Sequence, residues 1–255
     1  MSAITALSEV QRRAEPVGAL ALDAGSRKAA LQALLRAKKL EREAPPLRGD
    51  DLRPRRLSSG LPEIDRVAGG GLPRGAVSEC FGPASSGRTG TALAFAAHAT
   101  REGGLVAWVD PGDRLDPASA AGAGVDLDRL LWLRGGATAG APDRPRPGLS
   151  EALSALGVLA GSGLFDLVVL DLAGAPAADV RRLPAASWVK LGRAVESTAC
   201  AVLLLGREHV AKSGVALPLA PSVPRWSGSG PGRLLRGLDA SVAGAPPFHL
   251  AAAFD

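Results

Sequence analysis

From residue 57 onward, strand-sized apolar runs alternate with segments whose apolar positions recur at helical spacing. The runs AVSECF, LVAWVD, LLWLRG, FDLVVLDL and CAVLLLG predict strands, the last two buried on both faces. Between them, TGTALAFAAHATREG, the stretch containing ASAAGAG, LSEALSALGVLAGSG and SWVKLGRAVEST predict helices. This alternation predicts an α/β fold with a mostly parallel sheet covered by helices. GGATAGAPDRPRPG reads as a flexible connection, and 207–232 as a long Gly/Pro/Ser-rich loop with scattered positive charge. LDASVAG and FHLAAAFD close the chain as two short edge strands.

Upstream, SRKAALQALLRAKKLERE predicts a helix with Ser26 as its N-cap. Ala30, Ala33, Leu34, Ala37 and Leu40 form a stripe that Leu31 and Leu35 widen. Arg27, Lys28, Arg36, Lys38, Lys39 and Arg42 make the opposite face basic. The Pro- and charge-rich EAPPLRGDDLRPRR follows as a linker, and residues 1 to about 25 are expected to be poorly ordered. The pattern divides the chain into an N-terminal extension, 1–50, and a core, 51–255. A helix set off by a linker suits docking, so Ala30, Leu31, Leu34 and Leu35 are candidate partner-binding residues. The alternative is a helix folded back on its own sheet.

Composition narrows the function classes. A net charge of +5 permits a nucleic-acid partner without requiring one. Cys80 and Cys200 lie in apolar strands and read as core residues, and the histidines lack metal-ligand spacing. No signal peptide is evident and the apolar runs are too short to span a bilayer, so a cytoplasmic protein without a membrane partner is expected.

The chemistry concentrates in FGPASSGRTG, residues 81–90. A strand, a Gly-rich turn and a helix N-terminus make a phosphate-binding loop, in which backbone N–H groups surround the phosphates. Gly82, Ser85, Ser86, Gly87 and Thr89 fit that pattern, with Thr89 placed to hold Mg²⁺, but Arg88 stands in the lysine slot. Asp171 closes LVVLD as a strand-end acid able to hold the metal through water. The longer, planar head of Arg88 can still bind an anion but suits the lysine cradle poorly. A chance Gly-rich turn beside an ordinary strand-end Asp is the alternative.

Residues 57–171 resemble the RecA recombinase core through GGGLPRG, GP-x-SSG-x-T and LDP…GVD, in order and correctly spaced. The resemblance implies a RecA-like core and a nucleotide site that includes Asp116 of LDP. It also implies a water-activating glutamate, whose position here is Gly112 with Asp113 beside it, and a base-stacking tyrosine, whose position is Ser119. The polar sensor falls at Gly206 or Arg207, and the cations that neighbouring protomers lend have no evident counterpart, since no Lys or Arg follows Arg236. The first DNA loop is shortened to AGAPAADVRRLPAAS, and the C-terminal domain is missing from the resemblance. These departures, with the basic N-terminal helix, resemble ImuA, a family of RecA-like accessory proteins of inducible mutagenesis.

That resemblance implies a non-catalytic accessory protein in DNA-damage tolerance, without a required cofactor and with ATP and Mg²⁺ as optional ligands. The implied partners are an ImuB-type polymerase-like protein, a DnaE-type error-prone polymerase, the RecA recombinase, a second copy of the chain and single-stranded DNA. For DNA the candidate residues are Lys212, Arg225, Trp226, Arg233 and Arg236, on a loop where charge could track the backbone and Trp226 could stack a base. The alternative is a solvated loop whose Trp packs on the core. A DNA-dependent ATPase of the RecA or RadA type and an inhibitor of recombinase filaments are the other functional readings.

Overall fold

The computed structural model describes residues 24–37, 56–135, 148–212 and 214–251. The expectations for residues 1–23, most of the linker and most of the 135–148 connection lie outside them, as does the side chain of Leu35.

Six parallel strands form the central sheet: β3 (Ala76–Phe81), β4 (Val106–Asp110), β5 (Leu130–Arg134), β6 (Leu167–Asp171), β7 (Ala201–Gly206) and β8 (Ala216–Pro218). Their order is β5-β4-β6-β7-β3-β8. Every pairing is parallel, as the continuous apolar runs require. Alternate residues serve opposite faces: Leu167 and Val169 join one core cluster, Val168 and Leu170 the other. A short antiparallel pair, β1 (Arg56–Leu57) and β2 (Leu72–Pro73), brackets α2 (Pro62–Val67) ahead of the sheet.

The first face is covered by α3 (Arg88–Arg101), whose Ala92, Phe95, Ala96 and Ala99 are buried. The second face takes α5 (Leu149–Gly161) and α7 (Ala185–Glu196). The short α4 (Pro117–Gly122) follows β4. The stretch resembling a shortened DNA loop folds as α6 (Ala177–Arg181) and the start of α7.

Two expectations are corrected. First, the N-terminal helix, α1 (Ala24–Ala37), begins two residues before Ser26, which is therefore inside it. Its apolar stripe lies on the chain's own core: Leu31 is 8% exposed and Leu34 is half-buried against the α5 cluster. Ala30 is also half-buried. Leu31 and Leu34 are therefore not a free docking face, because the second face of the sheet offers them an apolar surface within the same chain, whereas Ala33 is exposed and Leu40 lies outside the described residues. Leu31→Asp is expected to detach α1, since a charge would otherwise be buried unpaired. Limited proteolysis should then cleave the helix at protease concentrations that spare the wild type, whereas equal protection would contradict the packing.

Second, the expected loop over 207–232 contains regular structure among its described residues. It contains β8 and β9 (Val223–Ser227), and β10 (Leu234–Ala240) follows. With β11 (Phe248–Ala251) these last strands form a separate antiparallel sheet, β11-β10-β9. Its cross-strand bonds and the burial of Ala240, Phe248 and Leu250 in the first core cluster make it part of the body.

Candidate functional site

Parallel strands deliver their C-terminal ends to one edge, the usual location of sites in such sheets. Phe81, Asp110, Asp171 and Gly206 all end strands there. β3 and β4 are consecutive in the chain yet lie on opposite sides of β6 and β7, so the loop after β3 opens where the strand order switches.

That loop has phosphate-loop geometry. Gly87 caps α3 at φ +88° in the left-handed region, and a Cβ there would come within 2.9 Å of Ala240 Cβ. Glycine is thus required both for the turn and for the close approach of β10. Among the described residues, no acceptor takes the amides of Ser86, Gly87, Arg88 and Thr89. Ser86 Oγ is buried and unpartnered as well. Ser85 lies at φ +58°, its carbonyl accepting from Ser222 Oγ, and Thr89 is exposed. Unpaired amides at a helix N-terminus fit an anion.

Arg88 is held otherwise. It is 8% exposed, and its Nη1 donates to the Gly206 carbonyl at 2.6 Å. The same carbonyl accepts from Gly82 N, so the side chain ties α3 to the start of the loop and the end of β7. Burial pulls the guanidinium below the usual arginine range, Asp171 and Cys80 oppose that, and Arg207 and Arg114 add to it.

Asp171 is also buried, accepting from Ala173 N at 2.8 Å. Burial raises its pKa, the Ala173 N–H lowers it, Asp110 raises it further, and Arg114 and Arg88 make the smallest, lowering contributions. A carboxyl whose folded pKa is raised favours the native state below the unfolded value, and that contribution is lost as pH rises through the folded value. Asp171→Asn keeps the acceptor for Ala173 N without the charge. It is expected to raise Tm at pH 7, with the gain shrinking as pH falls through the carboxylate range. A lower Tm at pH 7 would show that the carboxylate is stabilising.

Sequence reasoning did not single out Asp110 or assign Arg114 and Glu79 to this edge. Asp110 is fully buried, and its Oδ2 accepts from Arg114 N at 2.7 Å, Leu115 N at 2.8 Å and Trp132 Nε1 at 3.2 Å. This fixes the turn through Gly112, the position of the expected general base. Arg114 lies across that turn: a Cβ on Gly112 would be 3.2 Å from its Cδ, and one on Gly174 only 2.7 Å. Asp113, beside Gly112, is engaged by Arg134 through two bonds of 2.7 and 2.9 Å. The signal for Asp110 was present, since it ends LVAWVD as Asp171 ends LVVLD. For Glu79 it was a lone carboxylate inside AVSECF. Glu79 is buried and accepts from Val210 N and Lys212 N, each at 2.7 Å, and His209 Nε2 lies 3.0 Å away.

The remaining candidates lie elsewhere. Asp116 caps α4, accepting from Ser119 N at 2.9 Å and Ser119 Oγ at 2.6 Å, and the Ser119 hydroxyl holds its carboxyl below the usual range. Lys212 is an exposed turn residue anchored through its amide to Glu79. Arg225, Trp226, Arg233 and Arg236 all lie on the β9–β10 hairpin, but the neighbours Arg225 and Trp226 point to opposite faces of β9. Arg225 pairs with Asp239 at 2.7 Å, Arg236 bonds Ser227 Oγ, and Arg233 stacks 4.6 Å from the Trp226 ring centroid. Trp226 is 46% exposed, so it does not pack into the core. Both cysteines are buried and free, and burial pushes the Cys80 thiol up to about 12.

The phosphate part of a Mg²⁺–nucleotide fits the unpaired loop amides. The metal would be held by Thr89 and Asp171, a set that suits Mg²⁺, which takes one or two protein oxygens beside phosphate oxygens and water. Among the described residues, no helix is long and apolar enough to cross a membrane.

Residues 49–185, more than half of the chain, match the model of the RecA N-terminal domain family. Over 116 residues the chain is 43% identical to Protein RecA of Streptococcus pyogenes serotype M49 (strain NZ131), covering 45% of this chain and 28% of that protein. Protein RecA of Streptococcus uberis (strain ATCC BAA-854 / 0140J) and of Streptococcus equi subsp. zooepidemicus (strain MGCS10565) match at the same identity and coverage. The match spans little more than a quarter of these relatives' length. With a parallel sheet, a phosphate loop and a strand-end acid in the matched segment, the chain belongs to the RecA family through its N-terminal domain.

Proposed function

We propose that this chain is a non-hydrolysing RecA-type accessory protein of the DNA-damage response, acting in damage-induced mutagenesis and translesion synthesis. The observation that carries this reading is the state of the hydrolytic positions: Gly112 has no carboxylate, Asp113 is committed to Arg134, and Arg88 is committed to the Gly206 carbonyl. Loss of a general base lowers turnover by about 10²–10⁴-fold. Internal packing of α1 also supports the reading. The resemblance to RecA implies a helix here that joins neighbouring protomers, whereas Leu31 and Leu34 pack within this chain.

The proposed partners are an ImuB-type polymerase-like protein, a DnaE-type error-prone polymerase and the RecA recombinase, in the cytoplasm. Single-stranded DNA is a further proposed contact through the arginines and Trp226 of the β9–β10 hairpin. The second reading, a DNA-dependent ATPase, is favoured by the unpaired loop amides and by Asp171. Deleting the gene in its source organism separates the two. The accessory reading expects fewer damage-induced mutations with homologous recombination intact. Lost recombination with unchanged mutation frequency would favour the ATPase.

A further inference from the structure

We propose that the outer face of the β9–β10 hairpin docks an acidic protein segment anchored by apolar side chains. This goes beyond the proposed function and does not depend on ATP turnover. Among the described residues, five large hydrophobic side chains are exposed, and three of them lie on this hairpin: Val223 at 64%, Trp226 at 46% and Leu234 at 59%. The register sets their directions. Val223 lies opposite Asp239, Arg225 opposite Gly237 and Ser227 opposite Leu234, so these residues share one face. The core takes the other face, through Ala240, Phe248 and Leu250. Val223 and Leu234 therefore point outward at opposite ends of the hairpin, about 13 Å apart at about 3.3 Å per residue.

Between them the surface is cationic. The segment 223–240 holds Arg225, Arg233 and Arg236 against a single carboxylate, Asp239. Asp239 is engaged by Arg225 at 2.7 Å and by His249 at 3.2 Å. Arg236 sits at the bulge between Leu235 and Gly237 and donates to the neutral Ser227 hydroxyl at 2.8 Å. Its charge has no carboxylate partner among the described residues. Arginine beside exposed apolar side chains is characteristic of protein interfaces. Partner carboxylates would complement Arg236 and Arg225, and partner apolar side chains would cover Val223 and Leu234. A second copy of this face would set arginine against arginine. A nucleic-acid strand would leave Val223 and Leu234 exposed. The DNA contact proposed above falls instead to the Trp226–Arg233 side, because Trp226 points the other way.

A display library of random peptides, selected on the immobilised full-length chain, tests this. The expected result is enrichment of peptides that combine Asp or Glu with Leu, Ile, Val or Phe, and binding that weakens as salt rises. Val223→Thr with Leu234→Thr keeps strand propensity and removes the apolar anchors. That double variant and Arg236→Glu should each weaken an enriched peptide by about tenfold or more, the scale of an interface hot spot. All three side chains are exposed, so an unchanged Tm separates lost binding from lost folding. No enrichment over a blank support, enrichment without acidic residues, or equal binding to wild type and both variants would overturn the proposal. Displacement of the peptides by oligothymidylate would also overturn it, by making the face a DNA site. So would sedimentation showing a dimer that the double variant dissolves, by making it a contact between copies.

Discussion

Asp110→Ala is expected to destabilise the protein by about 3–5 kcal/mol, because hydrogen bonds to a charged group contribute about 1.5–3 kcal/mol each and three neighbours are not additive. The carboxylate holds the Arg114 and Leu115 amides and the Trp132 indole through one oxygen. The other oxygen, Oδ1, has no partner. Asp110→Asn can keep its carbonyl oxygen toward the three donors and turn its amide to the Oδ1 side. It is therefore expected to retain most of the stability that alanine loses. Urea unfolding of the two variants checks this. Equal losses would show that the charge, rather than the acceptor geometry, fixes the turn. The turn matters because it carries Gly112 and sets Arg114 against Gly174.

Glu79→Ala is the second large effect. Removing this carboxylate leaves the Val210 and Lys212 amides without their acceptor, at about 1–3 kcal/mol for each unpaired group. It also releases His209, whose ring stacks on Phe81 at a centroid distance of 5.1 Å. The segment after β7, which begins at Arg207, would then loosen. Hydrogen exchange at Val210 and Lys212 should rise well before global unfolding, and the denaturation midpoint should fall. Unchanged protection at both amides would contradict the anchoring role.

The sequence pattern was most informative where burial is two-sided. FDLVVLDL and CAVLLLG could only be central strands, and the phosphate loop was visible because its glycines and serines are local in sequence. The expectation of a loop over 207–232 fails for a physical reason. β9 is short and mostly exposed, contains Pro224, and alternates without an apolar face, so its strand character comes from pairing with β10. The docking of α1 was equally hidden, since an apolar stripe does not specify which surface it covers. Side-chain direction was the other limit. Arg88 is visible as a substitution, but its commitment to Gly206, 118 residues away, depends on strand order. The Asp113–Arg134 pair likewise follows from β5 lying beside β4.

The proposed function requires that this RecA-family chain not turn over ATP, and phosphate release under multiple-turnover conditions tests that most directly. The protein is assayed with ATP and Mg²⁺, with and without single-stranded DNA, beside an active RecA. The account predicts release indistinguishable from the protein-free rate in both conditions, unchanged by Asp171→Ala. DNA-stimulated release comparable to that of the RecA control, and abolished by Asp171→Ala, would contradict it.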